Sequence, residues 1–374
     1  MAGANPLVDT GWNRFYSTIF QVHTDEGITG ISEIIWYDIS ENELMGLKAR
    51  LIGEDPSNIE RIVGSAYFSP FSPSISAIEI ACWDIFGKAF KVPVYNLMGG
   101  LLREKVPVTR FIGIRSPEEA AREAVAAVEQ GVMTVKLKVG FDPRQDVEIV
   151  KAVRDAVGND VAIRIDPNQA WSVGTAINQI NKMAKYYPQY IEQPIPGWDH
   201  NGLLRIREKT DVPLCICEGL TQRDSYFPTL MHLIKMDAID FVSSSPIRTG
   251  GLLGFKKLCA ICEAAGISVV THWSFLGVSS ATLLQCCASN RGMIYANDIM
   301  CTNLKPGPID DIITEPFMLA DGCLKVPNGP GLGVKLDEEK MMKHAKYAVQ
   351  VGKPTEAPYP IENLNLANYS PPRY

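Results

Sequence analysis

From about residue 108 onward the chain repeats one pattern, a short run of β-branched and apolar residues followed by a longer segment of helical periodicity. The strand-like runs are TRFIGI (109–114), TVKLKV (134–139), VAIRID (161–166), YIEQP (190–194), LCICEG (214–219), FVSSSP (241–246), SVVTHW (268–273) and IYAND (294–298). Eight parallel strands separated by helices close into a (β/α)8 barrel, whose functional groups stand at the carboxyl ends of the strands. The expected fold class is therefore α/β, a modified TIM-type barrel over residues 108–315, with chemistry carried by the last residues of each run.

The intervening segments carry helix signals of their own. Ser116, Pro117 and Glu119 form a capping box ahead of Ala121, Ala124, Val125 and Val128, which share one face. The segment 146–158 repeats the scheme and stops on Gly158. Residues 1–107 behave differently. FYSTIFQVHTDEGITGISEI reads as a hairpin turning at Asp25-Glu26-Gly27, and SPSISAIEIACWDIFGKAF as a helix rich in small and aromatic residues, which together suggest an α+β capping domain. The Pro- and Gly-rich VPNGPGLGVKL within residues 316–374 is expected to return to that domain.

Three consecutive strand-like runs carry a carboxylate at their ends, Asp166, Glu192 and Glu218, at intervals of 26 residues. Each interval is one βα unit, so a barrel gathers the three side chains around one mouth. Carboxylates so placed repel one another unless a cation neutralises them, and hard oxygen donors favour Mg2+ over zinc. The preceding strand ends in Lys136-Leu137-Lys138, where period two puts both lysines on one face. A lysine beside a second cation loses some preference for its charged form and can serve as a general base. Removing a proton α to a carboxylate requires concentrated positive charge to stabilise the resulting enediolate. Metal and Lys136 would supply that charge, and Lys138 would take the proton.

Composition narrows the alternatives. A formal charge of -6 with scattered basic residues disfavours nucleic acid as a partner. No apolar run is long enough to span a membrane, and MAGANPLVDTGW lacks the charged-then-apolar layout of a signal peptide, so the expected compartment is the cytoplasm. Nine cysteines read as free thiols, mostly small buried hydrophobes. The pairs Cys215/Cys217 and Cys259/Cys262 have no further cysteine or histidine pair at the spacing of a closed zinc site.

In order along the chain stand AIEIACWDIFGKAFKVPVYNLMGG, KLK, RIDPNQAW, YIEQP, CEG, RTGG and GPGLGV. This series resembles the enolase superfamily, in its mandelate racemase and muconate lactonizing enzyme branch. The Lys or His bases and Mg2+ ions of that superfamily are a known pairing. The resemblance implies an α+β cap over a modified barrel, Mg2+ held by Asp166, Glu192 and Glu218, Lys138 as base, and a symmetric homo-oligomer. It also implies a His at the end of the seventh strand, which His272 in THWSFLGVSSATLLQ matches, with an Asp on the sixth strand behind it. Ser245 stands where that Asp, or the lysine of the muconate lactonizing type, would be. A serine cannot raise imidazole basicity as a carboxylate does, so His272 is expected to serve as an acid rather than a strong base.

The residues expected to contact a small carboxylate substrate are Lys136, Asn168, Ser245, Asp298, with Asn297 the alternative by spacing, and, on a cap loop, Trp36. One base and one acid suit dehydration of a hydroxy acid, such as a sugar acid. Racemisation or epimerisation, which needs two matched bases, comes second and cycloisomerisation third. A catalytically silent binding barrel is the non-enzymatic alternative, disfavoured by the cost of maintaining such a charged cluster.

Overall fold

The computed structural model describes residues 17–35, 39–64, 73–220, 226–274, 276–299 and 311–351. Its strands are β1 (Ser17–His23), β2 (Thr29–Ile35), β3 (Lys105–Pro107), β4 (Arg110–Ile112), β5 (Thr134–Lys138), β6 (Ala162–Asp166), β7 (Tyr190–Glu192), β8 (Leu214–Ile216), β9 (Phe241–Ser244), β10 (Ser268–Thr271) and β11 (Cys323–Lys325). β4 to β10 form a curled parallel sheet of seven strands in sequential order, with at least one helix in each crossover between successive strands. The expected eighth strand is a correction. Residues 294–298 form isolated bridges instead of a ladder, because their backbone is shared between two neighbours. Asn297 bridges Val108 and Ile299 bridges Ser274. Thr109 N donates to Asn297 O at 2.9 Å, and Thr271 N to Asn297 Oδ1 at 2.9 Å, so a side-chain amide stands in for a ladder bond at the closing seam.

Helix starts follow local chemistry. The capping box of Ser116 and Glu119 opens Pro117–Val128, Asp142 caps Pro143–Val157, and Ser172 caps Val173–Met183. Gly158, at φ 73°, ends the second of these, as the sequence suggests. Alternate strand residues such as Val135, Leu137, Ile163, Ile165, Ile191, Leu214, Ile216, Val242 and Val269 are buried in one apolar core with Ala120, Ala124, Val150, Val153 and Ile180 of the helices. Burying each large aliphatic side chain contributes about 1.5–3 kcal/mol, which holds the strand ends to a fixed frame.

Three buried carboxylates tie the N-terminal elements to later parts of the chain, two of them to helices of the barrel. Glu79, on helix Pro73–Phe90, accepts from Leu252 N at 2.7 Å, Leu253 N at 3.0 Å and Trp83 Nε1 at 2.7 Å, capping helix Leu252–Ala264 from outside. Gly251, at φ 108°, is required there, since a Cβ would lie 2.0 Å from Glu79 Oε2. Glu33 of β2 accepts from Leu276 N and Ser279 N at the start of helix Gly277–Ser289. Asp84 accepts from Ile31 N, Leu332 N and Lys88 Nζ, joining the hairpin, the helix and the GPGLG turn. No helix among the described residues is long and apolar enough to cross a membrane.

Candidate active site

The register of the sheet decides which side chains face the barrel interior. Lys136 pairs with Arg164, Arg164 with Tyr190, Lys138 with Asp166, Glu192 with Cys215, Cys215 with Phe241, and Ser243 with Val270. These alternate residues share one side of the pleat. The lower layer is Lys136, Arg164, Tyr190, Cys215, Phe241 and Val270. Above it, Lys138, Asp166, Glu192, Cys217 and His272 continue the same alternation to the carboxyl ends.

Lys136 is 1% exposed and its Nζ lies 2.8 Å from Glu192 Oε1, 3.0 Å from Asp298 Oδ2 and 3.4 Å from Asp166 Oδ2. Burial works against its charge, but Asp298, Glu192 and Asp166 together hold it well above the usual lysine range. Lys138 Nζ donates to Asp166 Oδ2 at 2.6 Å and to Asn168 Oδ1, and packs 5.0 Å from the centre of the Phe111 ring. Asp166 is buried, which raises a carboxyl, yet Lys138 and Lys136 bring it below its ordinary value. Glu192 is pushed up to about 7, by burial first and by Asp166 and Asp298 after it, against the pull of Lys136.

Asn168 connects the base to the third carboxylate. Its Oδ1 takes Lys138, its Nδ2 donates to Glu218 Oε1 at 2.9 Å, and its N–H donates to Asp166 Oδ1. Asn168 and Gln169 both have positive φ, 46° and 65°, a strained pair at a strand end. Glu218 itself has the wrong parity for the interior. The turn Glu218–Leu220 brings it round, and that turn is anchored by Gln193 Oε1, which accepts from Cys217 N at 3.2 Å and Gly219 N at 2.9 Å.

Asp298 lies beneath the mouth, 2% exposed. Besides Lys136 it faces Arg164 Nη1 at 3.5 Å, so its carboxylate meets cations of the protein. His272 is half-buried, and its N–H donates to Ser244 O at 2.6 Å. Burial, followed by the charges of Arg248, Lys136 and Lys138, holds its imidazole well below the usual histidine range, hence neutral. Among the described residues no hydrogen bond joins Ser245 Oγ to His272. Ser245 is buried, and its carbonyl accepts from Arg248 N and Thr249 Oγ1. Trp36 lies outside the described residues.

Reading strand ends as single residues missed four side chains. Phe111 lies beside both lysines, 5.7 Å from Lys136 and 5.0 Å from Lys138. Gln193 shapes the Glu218 turn. Arg248 Nη1 donates to Cys217 Sγ at 3.0 Å. Cys217 joins Glu192 and His272 in a group whose donor atoms all lie within 4.8 Å of one another. The missed signal for Cys217 was parity, since it alternates with Cys215 onto the interior face.

Residues 12–99 match the mandelate racemase / muconate lactonizing enzyme N-terminal domain, and residues 119–340 match the enolase C-terminal domain-like family. The chain belongs to the mandelate racemase/muconate lactonizing enzyme branch of the enolase superfamily. It is 32% identical to the N-succinyl-L-Arg/Lys racemase of Bacillus cereus, over 91% of this chain and 93% of that one. It is 26% identical to the D-xylonate dehydratase of Haloferax volcanii, over 87% of this chain and 84% of that one. A crystal structure of an enolase from Streptomyces coelicolor superposes with a TM-score of 0.81 at 30% identity, over 91% of this chain and 92% of that one. The superfamily is Mg2+-dependent, and its members similar to this chain include both racemases and dehydratases.

Proposed function

We propose that this chain removes the proton α to a substrate carboxylate with Lys138, in a Mg2+-dependent reaction, and that it completes the reaction by dehydrating a hydroxy acid. The residues present fit the metal. Asp166, Glu192 and Glu218 are buried oxygen donors at three neighbouring strand ends, with Asp166 Oδ2 and Glu192 Oε1 both within 3.4 Å of the single Lys136 Nζ. These three would hold Mg2+, which supplies charge to offset the second negative charge of an enediolate.

The observation that carries the reading is the asymmetry of the two faces. On one, Lys138 is held by Asp166 and Asn168 and flanked by Phe111. On the other, no carboxylate among the described residues hydrogen-bonds to the His272 ring, which burial and the charges of Arg248, Lys136 and Lys138 hold neutral. An incoming anionic substrate offsets those cations and favours the imidazolium. His272 then carries the proton that a departing hydroxide needs to leave as water, while the α-proton ends on Lys138. Two bases of matched strength, as racemisation demands, are not built from a lysine and an imidazole so unlike in setting. Asp298 and Arg164 keep Lys136 in place under the reacting carbons, and Asn168 orients the Lys138 amine.

Racemisation remains the second reading, favoured by the 32% identity to the N-succinyl-L-Arg/Lys racemase. Incubation in D2O with Mg2+ separates the two, using one panel of hydroxy acids and one of N-acylated amino acids. Formation of a 2-keto acid with loss of water supports dehydration. Deuterium entering an intact N-acyl amino acid with inversion supports racemisation and refutes the dehydratase assignment.

A further inference from the structure

The side chain that faces Glu192 and His272 across the mouth is a thiol, and this gives the site a second set of donors. We propose that Glu192, Cys217 and His272 form a binding site for a borderline divalent cation of the zinc class, distinct in ligands from the three-carboxylate set and sharing Glu192 with it.

Three features support the site. The first is parity. Cys217 continues the interior alternation of Cys215 on β8, so its Sγ projects into the barrel mouth, and its backbone is fixed there by the hydrogen bond from Cys217 N to Gln193 Oε1. The second is distance. One donor atom from each of the three residues lies within 4.8 Å of the others. Bonds of about 2.0–2.3 Å to a tetrahedral ion put donors about 3.5 Å apart, so side-chain movements of about an ångström close the set. Asp166, Glu192 and Glu218 are engaged by other side chains, Asp166 and Glu192 by Lys136, Asp166 also by Lys138, and Glu218 Oε1 by Asn168.

The third is chemistry. Carboxylate, imidazole and thiolate are the donors that zinc prefers, whereas Mg2+ has little affinity for sulfur. Arg248 Nη1 donates to Cys217 Sγ at 3.0 Å and so fixes the sulfur at the mouth; burial and Glu218 hold the thiol well above its ordinary value, and it is the ion, on binding, that releases the thiol proton to solvent. Three protein donors leave a tetrahedral ion one position for water or a substrate oxygen. Occupancy of this set engages Glu192 and His272, so a zinc-class ion and the reaction proposed above would exclude each other. That exclusion rests on the roles assigned to those residues, whereas the binding does not.

The test is optical and independent of turnover. Full-length protein stripped with a chelator is titrated with Co2+ under anaerobic conditions. The expected result is an intense near-ultraviolet sulfur-to-cobalt charge-transfer band that saturates, is removed by Zn2+, and survives excess Mg2+. Cys217→Ser should abolish the band and Cys215→Ser should keep it. His272→Asn should weaken zinc binding in equilibrium dialysis by about 10–100-fold, which tests the site even if the cysteine variant folds poorly. No band in the unsubstituted protein, a band that persists in folded Cys217→Ser, or one lost only with Cys215→Ser overturns the assignment. If the binding is confirmed but zinc leaves α-proton exchange untouched, the exclusion fails while the site stands.

Discussion

Lys136→Met tests whether the ammonium beneath the mouth is what allows so many carboxylates to be buried together. The Lys136 side chain is 2% exposed, and its Nζ lies 2.8, 3.0 and 3.4 Å from Glu192, Asp298 and Asp166. Methionine fills nearly the same volume, so the change removes charge and hydrogen bonds rather than opening a cavity. Taking one partner from a buried ionic cluster costs about 3–5 kcal/mol. The expected loss in equilibrium urea unfolding at pH 8 with EDTA is therefore in that range.

Two further arms follow from the same cluster. Mg2+ at a hundred times its Kd should restore about 2.7 kcal/mol, and the variant should bind it more tightly than the parent because the competing ammonium is gone. The pH dependence has a defined sign. Lys136 is raised well above its ordinary value, so its contribution is fully present below the unfolded lysine pKa and constant between pH 6 and 9. Glu192, raised already, loses in the variant a charge that pulled it down. Its folded pKa moves higher still, so the variant gains stability as pH falls and the gap to the parent narrows toward pH 6. A loss under about 1 kcal/mol in EDTA, or a gap that widens toward pH 6, would refute the reasoning.

Three other outcomes are expected. Lys138→Met should lower α-proton exchange with D2O by about 10²–10⁴-fold; exchange at the parent's rate, followed by NMR, would remove Lys138 from the base role. Glu33 and Glu79 are each raised to about 7 by burial, above an unfolded value of 4.5, so their contribution is present at low pH and lost as pH rises through 7. Stability should fall by about 1 kcal/mol per group from pH 6 to pH 8, and the double variant Glu33→Gln/Glu79→Gln should show a flatter profile in the same urea titrations. Gly251→Ala places a methyl 2.0 Å from the Glu79 carboxylate at a φ of 108°, and should cost at least about 1–3 kcal/mol, read as a lowered Tm.

Much of this molecule was legible in the sequence because the relevant physics is local. Period-two runs and capping signals at Ser116, Pro117, Glu119 and Gly158 located the strands and helices, since hydrogen bonding and backbone sterics there involve residues a few positions apart. The rule that chemistry stands at strand ends brought out Lys136, Lys138, Asp166, Glu192 and Glu218 before any distance was known. The ordered motifs also identified the family that the comparisons then established.

The tertiary structure decided how those residues face one another. Residues 294–298 look like the other strands, but they serve two neighbours at the seam and Asn297 replaces a ladder bond with its side chain. Asp298 is turned toward Lys136 and Arg164 rather than the mouth, and Glu218 reaches Asn168 only because Gln193, one strand away, anchors its turn. Cys217 meets Glu192 and His272 through the barrel's curvature, which places three different strands around one opening. Charge states belong to the same level. A lone sequence position has no burial and no neighbours, so the neutral imidazole of His272 and the raised carboxyl of Glu192 exist only once the barrel has closed around them.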